Sequence, residues 1–271
     1  MATRWPNGAT CAAVFSFDLD AETSWIFRDP ENARRPVVIS GGRFGPKVGV
    51  PAIIELFSEF GLPASFFIPS VSAERYPEAV EQVLKAGFEV GAHGHMHERI
   101  DTLPAEQEEE ILAKSIGILE KATGRKPIGY RSPSWEFSPV TLSLLEKYGF
   151  LYSSNMMDDY FPYMHSPQGV GQPLVELPVS WLLDDAPFFQ WGLGRDYRPI
   201  QPASNVLEIW QEEFAGVHRR GALFMLTMHP QVIGRVSRLD MLRRLITYSR
   251  GFPGVWFATA EAVARHWRAV S

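Results

Sequence analysis

Two stretches decide how this chain is read: Phe17-Asp18-Leu19-Asp20 and His93-Gly94-His95-Met96-His97. The first places two carboxylates directly after an apolar run, Cys11 to Phe17. The second places three imidazoles directly after another, Phe88 to Ala92. A carboxylate with paired imidazoles is a ligand set for a first-row divalent metal, with zinc the default. Three protein ligands leave a fourth position for water, the open arrangement of a catalytic site.

The chain around these stretches alternates between short apolar runs and helical periods. Ala12 to Phe17 predicts a buried strand with Asp18 and Asp20 at its C-terminal end. Residues 21–47 have no clean period and carry Pro30, Pro36, Gly41, Gly42 and Pro46, which predicts a long loop of functional type. Pro51 to Phe60 predicts a helix stopped by Gly61, and Ala64 to Ile68 a second strand. Tyr76 to Ala86 predicts a helix, and Phe88 to Ala92 a strand that delivers His93. Pro104 to Thr123 predicts a longer helix whose acidic first half suits the helix dipole. Further strands are predicted at Ile128 to Arg131, Phe150 to Ser154, Leu174 to Val179, Ala222 to Thr227 and Val255 to Ala258. Ser138-Pro139 predicts an N-cap with proline at the first position of a helix to Tyr148, and helices are predicted over Asn205 to His218, Leu239 to Tyr248 and Glu261 to Ala269. Residues 155–173 and 182–202 read as irregular and aromatic-rich, the latter with Phe188, Phe189, Trp191 and Tyr197.

Sustained strand–helix alternation predicts an α/β fold with a parallel sheet, and eight candidate strands fit a (β/α) barrel, irregular or incompletely closed. No linker, repeat or low-complexity segment divides residues 1–271, so one domain is expected. At 45% hydrophobic and 21% charged, the composition supports a large buried core. A net charge of -5 gives no basic footprint, which argues against a nucleic-acid partner. One cysteine, Cys11, excludes an internal disulfide framework. The N-terminal MATRWPNGAT has no apolar core of a signal peptide, and no apolar run reaches membrane-spanning length, so a cytoplasmic protein without membrane contact is expected.

The chemistry-capable residues share one kind of place. Asp18 and Asp20 follow the first strand, His93, His95 and His97 the third, Arg131 the fourth, and His229 a late one. In a barrel these ends form one face, and active sites sit there. Each residue also has an ordinary reading. Asp18 and Asp20 suit helix caps or turns, Arg131 a structural ion pair, and His229 before Pro230 a turn. His93 and His97, four apart, face one way if the segment is helical, with His95 pointing elsewhere.

These residues together resemble the polysaccharide deacetylase (NodB-homology) family, the fourth carbohydrate esterase family. Phe17-Asp18-Leu19-Asp20 is similar to its first motif, with the aspartate pair split by Leu19, and His93-Gly94-His95-Met96-His97 to its second. Arg131-Ser132-Pro133 resembles the third and Leu226-Thr227-Met228-His229 the fifth. The fourth motif supplies an aspartate beside the acid histidine. Ser153-Ser154-Asn155 stands where relatives often carry an acidic residue, and Asp158, Asp159, Asp184 and Asp185 are loose candidates.

The resemblance implies a NodB-like distorted (β/α) barrel of seven or eight parallel strands, and a homo-oligomer. It implies Asp20, His93 and His97 as ligands of a divalent metal, with zinc the default for that set. It implies Asp18 as general base, Arg131 as the residue that orients Asp18, and His229 as general acid. The implied activity is hydrolysis of a non-peptide carbon–nitrogen bond in an N-acetylated sugar. The alternative substrate is a small cyclic amide, imide or ureide such as allantoin, as in the branch with peptidoglycan deacetylase-like, allantoinase-like and cyclic imide hydrolase members. An alternative of a different class is a non-catalytic sugar- or metal-binding barrel.

Overall fold

The eight residues CAAVFSFD of β1 (Cys11–Asp18) are all buried, as expected for a strand covered on both faces. The computed structural model describes residues 4–169, 171–190 and 199–271. β1 pairs in parallel with β8 (Leu223–Met228) along one edge. Its other edge takes β9 (Val255–Phe257) at Cys11 to Ala13 and β2 (Ser65–Ile68) at Ser16 to Asp18. Parallel pairing then continues through β3 (Glu89–Ala92), β4 (Gly129–Tyr130), β5 (Tyr152–Ser153) and β7 (Val175–Glu176). All eight expected strands are present and parallel. The ninth, β6 (Tyr163–Met164), is antiparallel to β7 and lies in the stretch expected to be irregular.

The curled sheet does not close with a full strand. Between β7 and β8 the only ladder contact among the described residues is a single parallel bridge, Asp184 to Thr227. Asp185 N–H extends it by donating to the Thr227 carbonyl at 3.2 Å. This is the distorted barrel expected from the sequence.

The helices are α1 (Thr23–Arg28), α2 (Pro36–Phe44), α3 (Val50–Phe60), α4 (Ser70–Arg75), α5 (Pro77–Lys85) and α6 (Ala105–Thr123). They continue with α7 (Thr141–Lys147), α8 (Ala186–Phe189), α9 (Ala203–Arg220), α10 (Pro230–Ile233), α11 (Val236–Arg250) and α12 (Ala260–Val270). Alternation along the strands sorts two apolar layers. Phe15, Phe17, Phe66, Phe224 and Leu226 pack outward against α3, α9 and α11. Ala12, Val14, Phe67, Tyr152, Val175 and Met225 fill the barrel interior.

The long loop expected over residues 21–47 is instead mostly helical. α1 is followed by a 3-10 turn, Pro30–Arg34, then α2, then a π-helical turn, Gly45–Gly49, that runs directly into α3. The glycines that hide this helical run are used for close packing. A Cβ on Gly42 would stand 2.5 Å from Glu22 Cα, and one on Gly49 would stand 2.3 Å from the Pro230 carbonyl oxygen. α7 begins at Thr141, two residues later than expected, because Ser138 instead caps a turn by accepting the Val140 N–H. Phe188 and Phe189 lie in α8, whereas Trp191 and Tyr197 lie outside the described residues. Cys11 is a free, buried thiol whose pKa burial pushes up to about 12, so it is inert. Among the described residues no helix is long and apolar enough to cross a membrane.

Candidate active site

Register brings the strand ends to one level. Phe17 pairs with Met228, Asp18 with Phe67, Ile68 with Ala92, and Ala92 with Tyr130. The residues that follow, Asp20, His93, Arg131 and His229, therefore emerge together at the C-terminal face. Asp18, Asp20, His93, His97 and Arg131 are all buried.

Asp20, His93 and His97 offer three ligand atoms to a common point. His93 Nε2 lies 3.4 Å from Asp20 Oδ1, and His97 Nε2 lies 3.6 Å from Asp20 Oδ2. Tetrahedral zinc ligands at ~2.1 Å from the ion stand about 3.4 Å from one another. Asp20 Oδ1 is buried without a hydrogen-bond partner among the described residues. An orphaned buried carboxylate oxygen is costly unless something charged meets it, so the donor set fits a divalent cation. His93 donates Nδ1–H to the Arg131 carbonyl at 2.8 Å, which leaves Nε2 bare toward that point.

Backbone holds the set. The Asp20 carbonyl accepts from Thr23 Oγ1 at 2.7 Å and Ser72 Oγ at 3.0 Å. Ala21, next to Asp20, and His97 itself both adopt positive φ, 54° and 63°. For residues with a Cβ this costs on the order of 1–3 kcal/mol each and marks a constrained site. His93 and His97 thus converge through a strained loop, not through the helix that their spacing suggested. His95 does point elsewhere, with Nδ1 2.7 Å from Ser70 Oγ.

Asp18 approaches the set from the side of His93, with Oδ2 3.9 Å from His93 Nε2. Its other oxygen accepts from Arg131 Nη1 at 2.9 Å. Arg131, fully buried, also donates to Ser16 Oγ at 2.8 Å and Ser154 Oγ at 3.0 Å, and its guanidinium lies 4.2 Å over the Phe67 ring. One residue therefore orients Asp18 through its side chain and His93 through its carbonyl.

His229 approaches from the side of Asp20, with Nε2 3.8 Å from Asp20 Oδ2. It stands outside the three-residue cluster. Asp185 holds it twice: Oδ1 accepts the ring Nδ1–H at 2.6 Å, and Oδ2 accepts the backbone N–H at 3.0 Å. Of the loose acidic candidates, Asp185 is the partner of His229, and Asp184 stands 3.8 Å away. Asp158 accepts from Tyr163 and Asp159 from its own loop backbone. Ser154 serves Arg131, and Asn155 Oδ1 accepts the Ser132 N–H at 2.7 Å. Nothing in the local pattern of residues 182–190 signals Asp185. Its position depends on the single bridge of Asp184 to Thr227, in the gap where the sheet does not close with a full strand.

Electrostatics divide these groups. Burial pushes His97 down to about 4, and Asp20 only partly offsets it. Burial also opposes charge on His93, but Asp18 and Asp20 outweigh it and raise the pKa. At His229 burial is overcome by Asp185, Asp184 and Asp20 together, so the imidazolium is held well above the ordinary histidine value. Burial pushes the Asp184 carboxyl up to about 7 despite His229. Burial likewise opposes charge on Asp20, but His97, His93 and His229 together hold its carboxylate well below the usual range.

A curled parallel barrel with a carboxylate–imidazole metal set at its strand ends defines a class of hydrolase-type folds, and comparison places the chain within it. A family model described as polysaccharide deacetylase matches residues 44–153. A peptidoglycan deacetylase of Helicobacter pylori is 33% identical over 93% of this chain and 94% of its own. The chain belongs to the polysaccharide deacetylase family. A crystal structure of a Mycobacterium smegmatis protein described as a polysaccharide deacetylase superposes with a TM-score of 0.92 at 38% identity, over 98% of this chain and 92% of that one. An allantoinase structure shares the fold, with a TM-score of 0.87 at 24% identity, over 99% of this chain and 94% of that one.

Proposed function

We propose that the protein is a metal-dependent hydrolase of non-peptide carbon–nitrogen bonds, of deacetylase type, with an N-acetylated sugar as substrate. The observation that carries this reading is the convergence on one point of three separate devices. These are the Asp20–His93–His97 donor set, the Asp18–Arg131 pair and the Asp185–His229 pair. A zinc ion held by Asp20, His93 and His97 would polarise the substrate carbonyl and lower the pKa of water toward ~7.

The chain's own residues supply the proton handling. Asp18 takes a proton from the attacking water, and Arg131 keeps its carboxylate turned toward the site. His229, held protonated by its carboxylates, gives a proton to the leaving nitrogen. Amine nitrogen leaves poorly without that proton, so the acid is as necessary as the base. A non-catalytic barrel has no use for a base and an acid built on opposite flanks of Asp20 and His93.

The likeness to a peptidoglycan deacetylase over nearly the whole of both chains supports the sugar substrate. A second reading, a small cyclic amide, imide or ureide, is favoured by the burial of Asp18, Asp20, His93 and His97, which suits a compact substrate. The test is an assay of zinc-loaded protein on N-acetylglucosamine oligomers, a succinimide-type ring and allantoin, with Asp18→Asn as control. Turnover of one class is expected, falling on the order of 10²–10⁴ in kcat for Asp18→Asn with zinc content retained. No turnover on any of the three, or zinc lost with Asp18, would overturn the assignment of roles.

A further inference from the structure

The turn that carries Asp20 also carries one wall of a cavity of about 460 Å³, which includes Glu22, Ile26, Ile39, Arg43, Arg75 and Tyr76. None of these residues belongs to the metal set or to the acid–base pairs. Glu22 is buried and already satisfied, accepting from Arg75 Nη1 at 2.9 Å and from Tyr76 Oη at 2.7 Å. Arg43 also lines the cavity and forms no ion pair among the described residues. The lining therefore carries two arginines, both exposed, against one carboxylate, an excess of one positive charge.

The placement of Arg43 is built into the backbone. Gly42 packs directly on Glu22, where a Cβ would stand 2.5 Å from Glu22 Cα and 2.8 Å from the Ala21 carbonyl carbon. α2 therefore rests on the strained Asp20–Ala21–Glu22 turn, which fixes the backbone from which the exposed Arg43 side chain extends along the cavity. Ile26 and Ile39 give the cavity an apolar side, which suits an organic carboxylate better than an inorganic ion.

We propose that this cavity is an anion subsite adjoining the active site, in which Arg43, with Arg75, receives a carboxylate carried by the substrate. The inference rests on the hydrolase reading for its role but not for its existence. Arg43 makes the charge-assisted contact, Arg75 is half-committed to Glu22, and Glu22 sets the geometry without being replaced.

The experiment titrates zinc-loaded wild type, Arg43→Met and Arg43→Lys with succinate by calorimetry. It also measures kcat/KM for an N-acetyl amide bearing a carboxylate and for the methyl ester of the same compound. Succinate affinity should fall about fivefold or more in Arg43→Met and recover in part in Arg43→Lys. The carboxylate-to-ester ratio of kcat/KM should fall by a similar factor, a ratio from which general damage cancels. Succinate bound equally by wild type and Arg43→Met, as it would be by the metal alone, overturns the subsite. An unchanged kcat/KM ratio overturns its role toward substrate. If succinate binding depends on Arg43 while no amide is hydrolysed by wild type, the subsite stands and the hydrolase reading fails.

Discussion

Asp185 shows how a single residue sets the chemistry of another 44 positions away. Its carboxylate grips His229 by ring and backbone at once, and burial of both groups raises the stakes of that contact. Burial alone would favour neutral imidazole, and Asp185, Asp184 and Asp20 reverse this. Asp185→Asn removes the nearest of the three charges, so His229 should release its proton at lower pH. If His229 is the general acid, the alkaline limb of the kcat–pH profile should move to lower pH. A limb that stays in place in Asp185→Asn, with kcat merely scaled, would show that some other group donates the proton.

At the scale of elements, the π-helical turn Gly45–Gly49 is the piece that local pattern obscures most. It packs backbone to backbone on α10, the short helix that follows His229. Gly49 and Gly234 both leave no room for a Cβ beside the Pro230 carbonyl, at 2.3 and 2.5 Å. Such a contact transmits the position of the α2–α3 run to the segment carrying His229. π-turns of this kind recur at functional sites. Gly49→Ala should therefore destabilise the protein by about 1–3 kcal/mol in urea titration. It should also lower kcat through displaced His229 while leaving zinc content intact. A variant as stable as wild type would mean that the two elements can part without cost.

For the whole molecule, the metal should act as a cross-link between β1 and β3. Asp20 follows one strand, His93 and His97 the other, and the unpartnered Asp20 oxygen is a cost that the apo protein bears. At 100 times its dissociation constant, a ligand of the native state adds ~2.7 kcal/mol. For a chain of this size, zinc should then raise Tm by about 5–10 °C over chelator-treated protein. Asp20→Asn should abolish the rise. The ligands must be deprotonated to bind. His97 is already neutral above about 4, whereas His93 carries a raised pKa. Zinc affinity should thus weaken as pH falls through the His93 titration. A Tm indifferent to saturating zinc at neutral pH would remove the metal site.

The strands, their parallel sense and the two motif stretches were legible from residues 11–20, 64–97 and 222–229, whereas the pairing of β9 with β1 beside β2 was not. Each is a short buried run ending in polar groups, and that pattern is local. Asp18, Asp20, His93, His97, Arg131 and His229 could be named because strand ends in a parallel barrel share one face, a consequence of topology that alternation alone implies. The helical character of residues 23–49 was not legible, because Gly42, Gly45, Pro46 and Gly49 lower helix propensity. Only contacts with Glu22, Gln231 and Pro230, distant in sequence, repay that cost. The partner of His229 was not legible either. Asp184 and Asp185 are equivalent in composition and neighbourhood. A single backbone bridge to Thr227, formed where the barrel fails to close, decides which of them meets the imidazole. Periodicity and motif spacing are properties of neighbours along the chain, so the sequence by itself determined the strands and the ligand types. Close backbone approach and the choice between adjacent carboxylates depend on segments that meet only after folding, so the tertiary structure decided them.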